Sequence, residues 1–285
     1  MTEINKDQND APKTTGHDWD GISEYNIPAP RWWLITWIIC IIWAMIYWFF
    51  YPTWPTPGGN SKGSLSWSGK SQLAEAQAEI DVIKSVHLQK ISKMTPKEIQ
   101  QDPQLMEFAL NGGRSAFKEN CAACHGSGAQ GSKGFPNLND DDWLWGGTLD
   151  QIQQTLNYGI RSGHDKSFNS QMPSFGLDKI LTKDEIKSVA EHVMSLSDSK
   201  LKNEAGEKIF AANCAVCHGA NGKGGRLVGA PNLSDAIWLY GNKKSDILYS
   251  IFYARAGVMP YWSGRLDDNT IKQLTLYVHS LGGGE

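Results

Sequence analysis

Cysteine is scarce in this chain: there are five among 285 residues, and four of them fall in two short clusters. The clusters are Cys121-Ala122-Ala123-Cys124-His125 and Cys214-Ala215-Val216-Cys217-His218, 93 positions apart. No second pair lies within the roughly 15–20 residues that separate the pairs of a zinc ribbon, and a His follows each pair directly, which speaks against zinc and against a simple redox dithiol. Charge is absent from Trp32 to Tyr51, and no A-x-A cleavage site follows that run. With about thirty polar residues ahead of it, the run reads as an anchor that stays rather than a removed signal peptide. The net charge of −3 is close to balance, and no nucleic-acid partner is expected.

What is present is C-x-x-C-H, twice, the pattern that attaches c-type haem. Two thiols add across the vinyl groups of the porphyrin, and the adjoining imidazole reaches the iron. Two covalently bound haem c groups are therefore expected, on Cys121 and Cys124 with His125 as iron ligand, and on Cys214 and Cys217 with His218. The flanking sequence repeats as well. Gly113 to Asn120 precedes one motif and Gly206 to Asn213 the other, Phe135-Pro136-Asn137-Leu138 is answered by Ala230-Pro231-Asn232-Leu233, and Trp143-Leu144-Trp145-Gly146 by Trp238-Leu239-Tyr240-Gly241. Each repeat is about 90 residues, an ordinary size for a small domain.

An iron that passes electrons without binding oxygen needs a sixth ligand. Met172 lies 47 residues after His125 and Met259 lies 41 after His218, each directly before a proline that stiffens its loop. A thioether closes the open position and raises the reduction potential, so both methionines are expected on iron. Spacing alone pairs each with its own motif, while two lobes of one chain can also exchange such loops. His164 is the competing ligand in the first repeat. Met194 reads as core, and His192 and His279 as core or surface. Trp143, Trp238, Arg161 and Arg255 could each hold a haem propionate, or else pack on the ring edge or lie on the surface.

The twenty-residue apolar run is long enough, at about 1.5 Å per residue, for a hydrocarbon core of roughly 30 Å, with Trp and Tyr at both ends. The charges around it, Lys6, Lys13 and Arg31 before and Lys62 and Lys70 after, give no orientation. Covalent haem attachment on the outer side of the bacterial cytoplasmic membrane implies periplasmic lobes and a cytoplasmic N-terminus. Cys40 lies inside the span and reads as a small buried hydrophobe. From Pro52 to Gly69 the composition is that of a tether, and an amphipathic helix is expected from Ser71, with further helix starts at Thr95 and Asp102. The expected fold is all-α: one N-terminal transmembrane helix followed by two tandem class I cytochrome c domains. The divisions are residues 1–30, 31–51, 52–104, 105–199 and 200–285, which leave no room for a catalytic domain or a sensory output domain. Lys and Arg number 8 against 12 Asp and Glu over 105–199, and 10 against 7 over 200–285. The acidic repeat, with Asp140-Asp141-Asp142, could steer a basic donor or could simply be solvated.

Taken together, Thr15-Gly16-His17-Asp18-Trp19-Asp20-Gly21-Ile22, Pro28-Ala29-Pro30-Arg31-Trp32-Trp33, Gly134 to Leu138, Ala230 to Leu233 and Gly257-Val258-Met259-Pro260 resemble the CcoP (FixP) family, the membrane-anchored dihaem subunit III of cbb3-type cytochrome c oxidases. The resemblance covers nearly the full length, with a single span where some relatives carry two. It implies an electron-transfer subunit of the bacterial inner membrane, not an enzyme on its own, that passes electrons from a donor cytochrome c. The receiving partners would be a haem–copper catalytic subunit and a monohaem cytochrome c subunit. It also implies crossed ligation, Met259 serving the haem on Cys121 and Cys124 and Met172 the haem on Cys214 and Cys217, against the local pairing that spacing suggests. A free-standing dihaem cytochrome, or a dihaem peroxidase or thiosulfate dehydrogenase, is the alternative. Such an enzyme would need one open iron, and two methionines argue against that.

Overall fold

The structure, a computed structural model, describes residues 13–197 and 203–283. Lys6 and the junction between the repeats at 199/200 lie outside these residues. The chain forms two compact units, up to Val82 and from Ile83 onward.

In the first unit, strands β1 (Thr14–Trp19) and β2 (Ile22–Tyr25) form an antiparallel hairpin across Asp20-Gly21. Both turn residues have positive φ, 53° and 87°, as a type I′ turn requires, and the Asp18 carboxylate accepts a 2.7 Å hydrogen bond from Gly21 N. Helix α1 (Arg31–Phe50) begins after Pro30 and ends at Tyr51, where the backbone turns extended. Its 20 residues are almost wholly apolar and none is buried, so it is long and apolar enough to cross a membrane. The segment beyond it folds back on the helix end. Ser64 N and Leu65 N donate to Phe49 O and Phe50 O, and Trp54 packs edge-on against Trp48. A second small hairpin, β3 (Pro55–Thr56) with β4 (Gly59–Asn60), lies in this segment. Among the described residues these two hairpins are the only paired strands in an otherwise helical chain.

Helix α2 (Gly69–Lys93) is longer than its amphipathic pattern suggested, and Leu73, Ile80 and Val86 on it are exposed. The second unit continues with α3 (Pro96–Gln100), started by a capping box between Thr95 and Glu98, and α4 (Pro103–Asn120), capped by Asp102. Next come the motif turn α5 (Ala122–His125), α6 (Leu149–Tyr158), α7 (Lys183–Ser197), α8 (Glu204–Asn213), the second motif turn α9 (Ala215–His218), α10 (Lys244–Tyr253) and α11 (Asp268–His279).

The two packed clusters of the second unit do not follow the two sequence repeats. Helix α11, which ends the second repeat, packs on α4 and α6 of the first, whereas α7, which ends the first repeat, packs on α8 and α10 of the second. One core holds Phe117, Cys121, Ile152 and Leu156 with Ile271, Leu274 and Val278. The other holds Ile186, Val189 and Val193 with Phe210, Ile247 and Ile251. The crossings are matched. A Cβ at Gly113 of α4 would strike the Gln273 carbonyl of α11, and one at Gly206 of α8 would strike the Ser188 carbonyl of α7, so a glycine at each point lets two backbones touch. One turn further, Phe117 packs on Tyr277 and Phe210 on His192, with ring centroids 5.4 and 5.2 Å apart. A smaller cluster of Ile91, Ile99, Leu105, Ala109, Leu149 and Leu276 joins the end of α2 and α3 to the first core. There Lys272 of α11 donates to Ile91 O, Ser92 O and Met94 O at 2.8–3.1 Å and caps the end of α2.

Candidate haem sites

Each C-x-x-C-H motif forms a single helical turn directly after a long helix. Cys121 N bonds Phe117 O and Cys214 N bonds Phe210 O, and the His ends each turn before a glycine with φ near 80°. That reversal sends the chain onward to the proline loop. Pro136 O lies 3.1 Å from His125 Nδ1, and Pro231 O lies 3.0 Å from His218 Nδ1. A carbonyl can only accept, so each Nδ1 donates and each Nε2 keeps its lone pair for a metal. Burial lowers both imidazole pKa values and favours the neutral form that can ligate. Burial also pushes the Cys121 and Cys214 thiols up to about 11, while Cys124 and Cys217 stay exposed.

The methionines lie across the repeats. Met172 packs against the core that holds Phe175, Val189 and Phe210, as Cys214 does, and it lines a cavity of about 680 Å³ together with Cys214, Cys217 and His218. Met259 packs with Phe117, Cys121 and Leu156, and its N–H and C=O pair with Ile160 at 3.0 Å each way. The Met172 loop is clipped to the end of α10, with Gly176 N and Leu177 N donating to Phe252 O and the Ser174 hydroxyl donating to Tyr253 O. Each methionine therefore stands beside the C-x-x-C-H motif of the other repeat, not of its own.

The competing and accessory residues separate clearly. His164 packs between Tyr158 and Tyr261, and its Nδ1 accepts from Lys166 N at 3.0 Å. Met194 packs against the second core, as its helix position suggested. Trp143 Nε1 is buried without a hydrogen-bond partner, whereas Trp238 Nε1 donates to Asp235 O at 3.2 Å. A buried, orphaned indole N–H fits a haem propionate beside it. Arg255 lies over the Tyr240 and Tyr249 rings and donates to Tyr240 O. Arg161 donates to two backbone carbonyls, Gly257 O and Ser170 O. Of the acidic run only Asp141 is exposed. Asp140 and Asp142 line the cavity, and burial together with Asp235 and Asp140 pushes the Asp142 carboxyl up to about 6. Sequence reasoning missed what the repeated proline loops do. The recurring Pro-Asn-Leu was visible, but its carbonyl bond to the imidazole was not. It also missed the reciprocal contacts in which Trp145 covers Gly229 and Tyr240 covers Gly134.

Two attachment motifs with oriented imidazoles define a c-type cytochrome. The description "Cytochrome C oxidase, cbb3-type, subunit III" matches residues 108–193 and 202–278, and "N-terminal domain of cytochrome oxidase-cbb3, FixP" matches residues 11–57. The chain is 52 % identical over 276 residues to the cbb3-type cytochrome c oxidase subunit FixP of Bradyrhizobium sp. (strain ORS 278), covering 95 % of each. It is 49 % identical to the FixP subunit of Bradyrhizobium diazoefficiens over 95 % of each chain, and 46 % identical to the CcoP subunit of Azospirillum sp. (strain B510) over the whole of both. The chain belongs to the FixP/CcoP family of cbb3-type cytochrome c oxidase subunits, and its role is electron transfer through cytochrome c domains.

Proposed function

We propose that this chain takes electrons from a donor cytochrome c outside the cytoplasmic membrane and relays them through two covalently held haems to the haem–copper and monohaem subunits of the oxidase, carrying out no oxygen chemistry of its own. Cys121 and Cys124 hold one haem, and Cys214 and Cys217 the other. His125 with Met259, and His218 with Met172, complete the two irons. When bound, such a group supplies a one-electron carrier whose potential the axial ligands set. The chain's own residues do the rest. Pro136 O and Pro231 O hold the imidazole tautomers, the two methionine loops close the sixth positions, and the apolar walls exclude water. Helix α1 anchors the chain by a single pass, with both lobes in the periplasm.

The observation that carries the crossed assignment is Met172 lining one cavity with Cys214 and His218 while Met259 packs against the core that holds Cys121. Intact-mass measurement should give the polypeptide plus two haems, and an increment of one would defeat the two-haem reading. Met172→Ala should open the iron on Cys214 and Cys217 to carbon monoxide. Opening the other iron would restore the local pairing. Protease added to spheroplasts should remove both lobes, and full protection would invert the topology.

A further inference from the structure

The backbone from Gly159 to Arg161 is a junction between the two methionine loops. Ile160 pairs with Met259 on one side and bridges Phe168 on the other, and Arg161 N donates to Phe168 O at 2.7 Å. Arg161 itself has a φ of 50°, in the left-handed region that a non-glycine residue rarely adopts. From there its guanidinium spans both loops. Nε donates to Gly257 O at 2.7 Å, and Nη1 donates to Ser170 O at 2.7 Å. Gly257 stands two residues before Met259, and Ser170 two residues before Met172. One planar cation thus holds the approach to each methionine at the same offset. Its rigid fork suits two acceptors at fixed angles, which the single nitrogen of a lysine does not.

The residue also breaks the internal repeat. Aligning Gly159 with Ala254, which both end their helices with positive φ, brings Ile160 opposite Arg255 and Arg161 opposite Ala256. The second repeat therefore has no counterpart of Arg161. Arg255 is directed elsewhere, to the Tyr240 carbonyl and the Tyr240 and Tyr249 rings. A single arginine serves both loops where the repeat would have supplied one for each.

We propose that Arg161 is a positioning residue for both methionines, a tie that makes closure of the two irons interdependent. The proposal rests on the reading that Met172 and Met259 are the axial ligands. A charge-assisted hydrogen bond removed from each loop corresponds to roughly tenfold more of the open form at each iron.

The test uses the full-length, haem-loaded chain in detergent, with carbon monoxide binding to each ferrous iron and the two iron-shifted methionine methyl signals in the NMR spectrum as readouts. Arg161→Gln should raise the carbon monoxide-binding fraction about tenfold at both irons and move both methyl signals. Arg161→Lys keeps the charge but not the fork, and should open both irons nearly as far. If Arg161→Gln opens one iron or neither, the tie does not exist. If Arg161→Lys behaves as the parent at both irons, charge alone matters and positioning is excluded. If the Gln variant fails to assemble, the Lys variant decides on the same terms. Met172→Ala and Met259→Ala separate this proposal from its premise. If neither opens an iron, the ligand assignment fails. If each opens one iron while the Arg161 variants open none, only the tie fails.

Discussion

The cluster around Cys121 and the cluster around Cys214 are built from the same repeat, yet each is finished by the other repeat's terminal segment and each is set in different surroundings. In both, a helix leads into C-x-x-C-H, a proline carbonyl accepts a hydrogen bond from the imidazole Nδ1–H, and a glycine lets a second helix cross. The Cys121 cluster is extended by the packing of α2 and α3, through Ile91, Ile99 and Leu105. Its Trp143 indole N–H is buried and unpaired, whereas the equivalent Trp238 is satisfied by its own backbone neighbourhood. The lesson is that duplication preserves the parts that act within a few residues of the motif and leaves the outer shell to diverge. Outer-shell donors and charges are what separate the potentials of two otherwise identical irons.

The largest expected effect comes from the methionines. Met259→Ala should open the iron on Cys121 and Cys124, and Met172→Ala the one on Cys214 and Cys217, each potential falling by a sizeable part of the roughly 0.8 V that axial ligands span. Redox titration, with each iron assigned by NMR contacts to Phe117 or Phe210, checks this. The reverse assignment would erase the exchange between clusters.

The glycine crossings come next. Gly113→Ala and Gly206→Ala should each cost about 2–3 kcal/mol through backbone overlap, seen in thermal unfolding. Gly113→Ala should loosen the Cys121 cluster together with α11, and Gly206→Ala the Cys214 cluster together with α7. Loosening α7 by the Gly113 change would contradict the exchanged packing.

A smaller effect should divide the two tryptophans. Trp143→Phe should shift one haem potential and its pH dependence, because an N–H placed for a charged propionate is worth about 1.5–3 kcal/mol. Trp238→Phe should cost only about 1 kcal/mol of stability and leave the potentials in place. Equal behaviour of the two variants would remove the asymmetry between the clusters.

The smallest expected effect is electrostatic. The Asp142 carboxyl, held near 6 against an ordinary 3.8, takes up a proton in the folded chain before it does in the unfolded one. Its contribution to stability therefore grows as pH falls from about 7 towards 4, and at pH 7 the charge is a cost. Asp142→Asn should raise stability at pH 7 by about 1 kcal/mol or less, allowing for solvent screening, and should abolish that gain on acidification. Calorimetry from pH 7 to 4 would show it. An unchanged pH profile would mean that the carboxyl titrates normally.

Much of this was readable before any coordinates. The C-x-x-C-H motifs and the capping sequences at Thr95 and Asp102 are local patterns of fewer than about ten residues, the apolar span is one unbroken run of twenty, and the helices start where the capping residues stand. The hairpin at Asp20-Gly21 was present as a turn dipeptide, but it was read only as part of a family signature. The acidic run was legible as charge, yet burial divides it, with Asp141 facing solvent and Asp140 and Asp142 lining the cavity.

The sequence by itself marked two C-x-x-C-H motifs, a Met-Pro pair at the same place in each repeat and one apolar run, because each is a matter of residue type and spacing along the chain. Only the tertiary structure decided which parts belong together. Helices α7 and α11 carry the same apolar pattern and either could cross α4 or α8, so the repeats alone cannot choose between them. Consecutive helices are usually neighbours, and α7 packs on α8, which leaves α4 to be covered by α11.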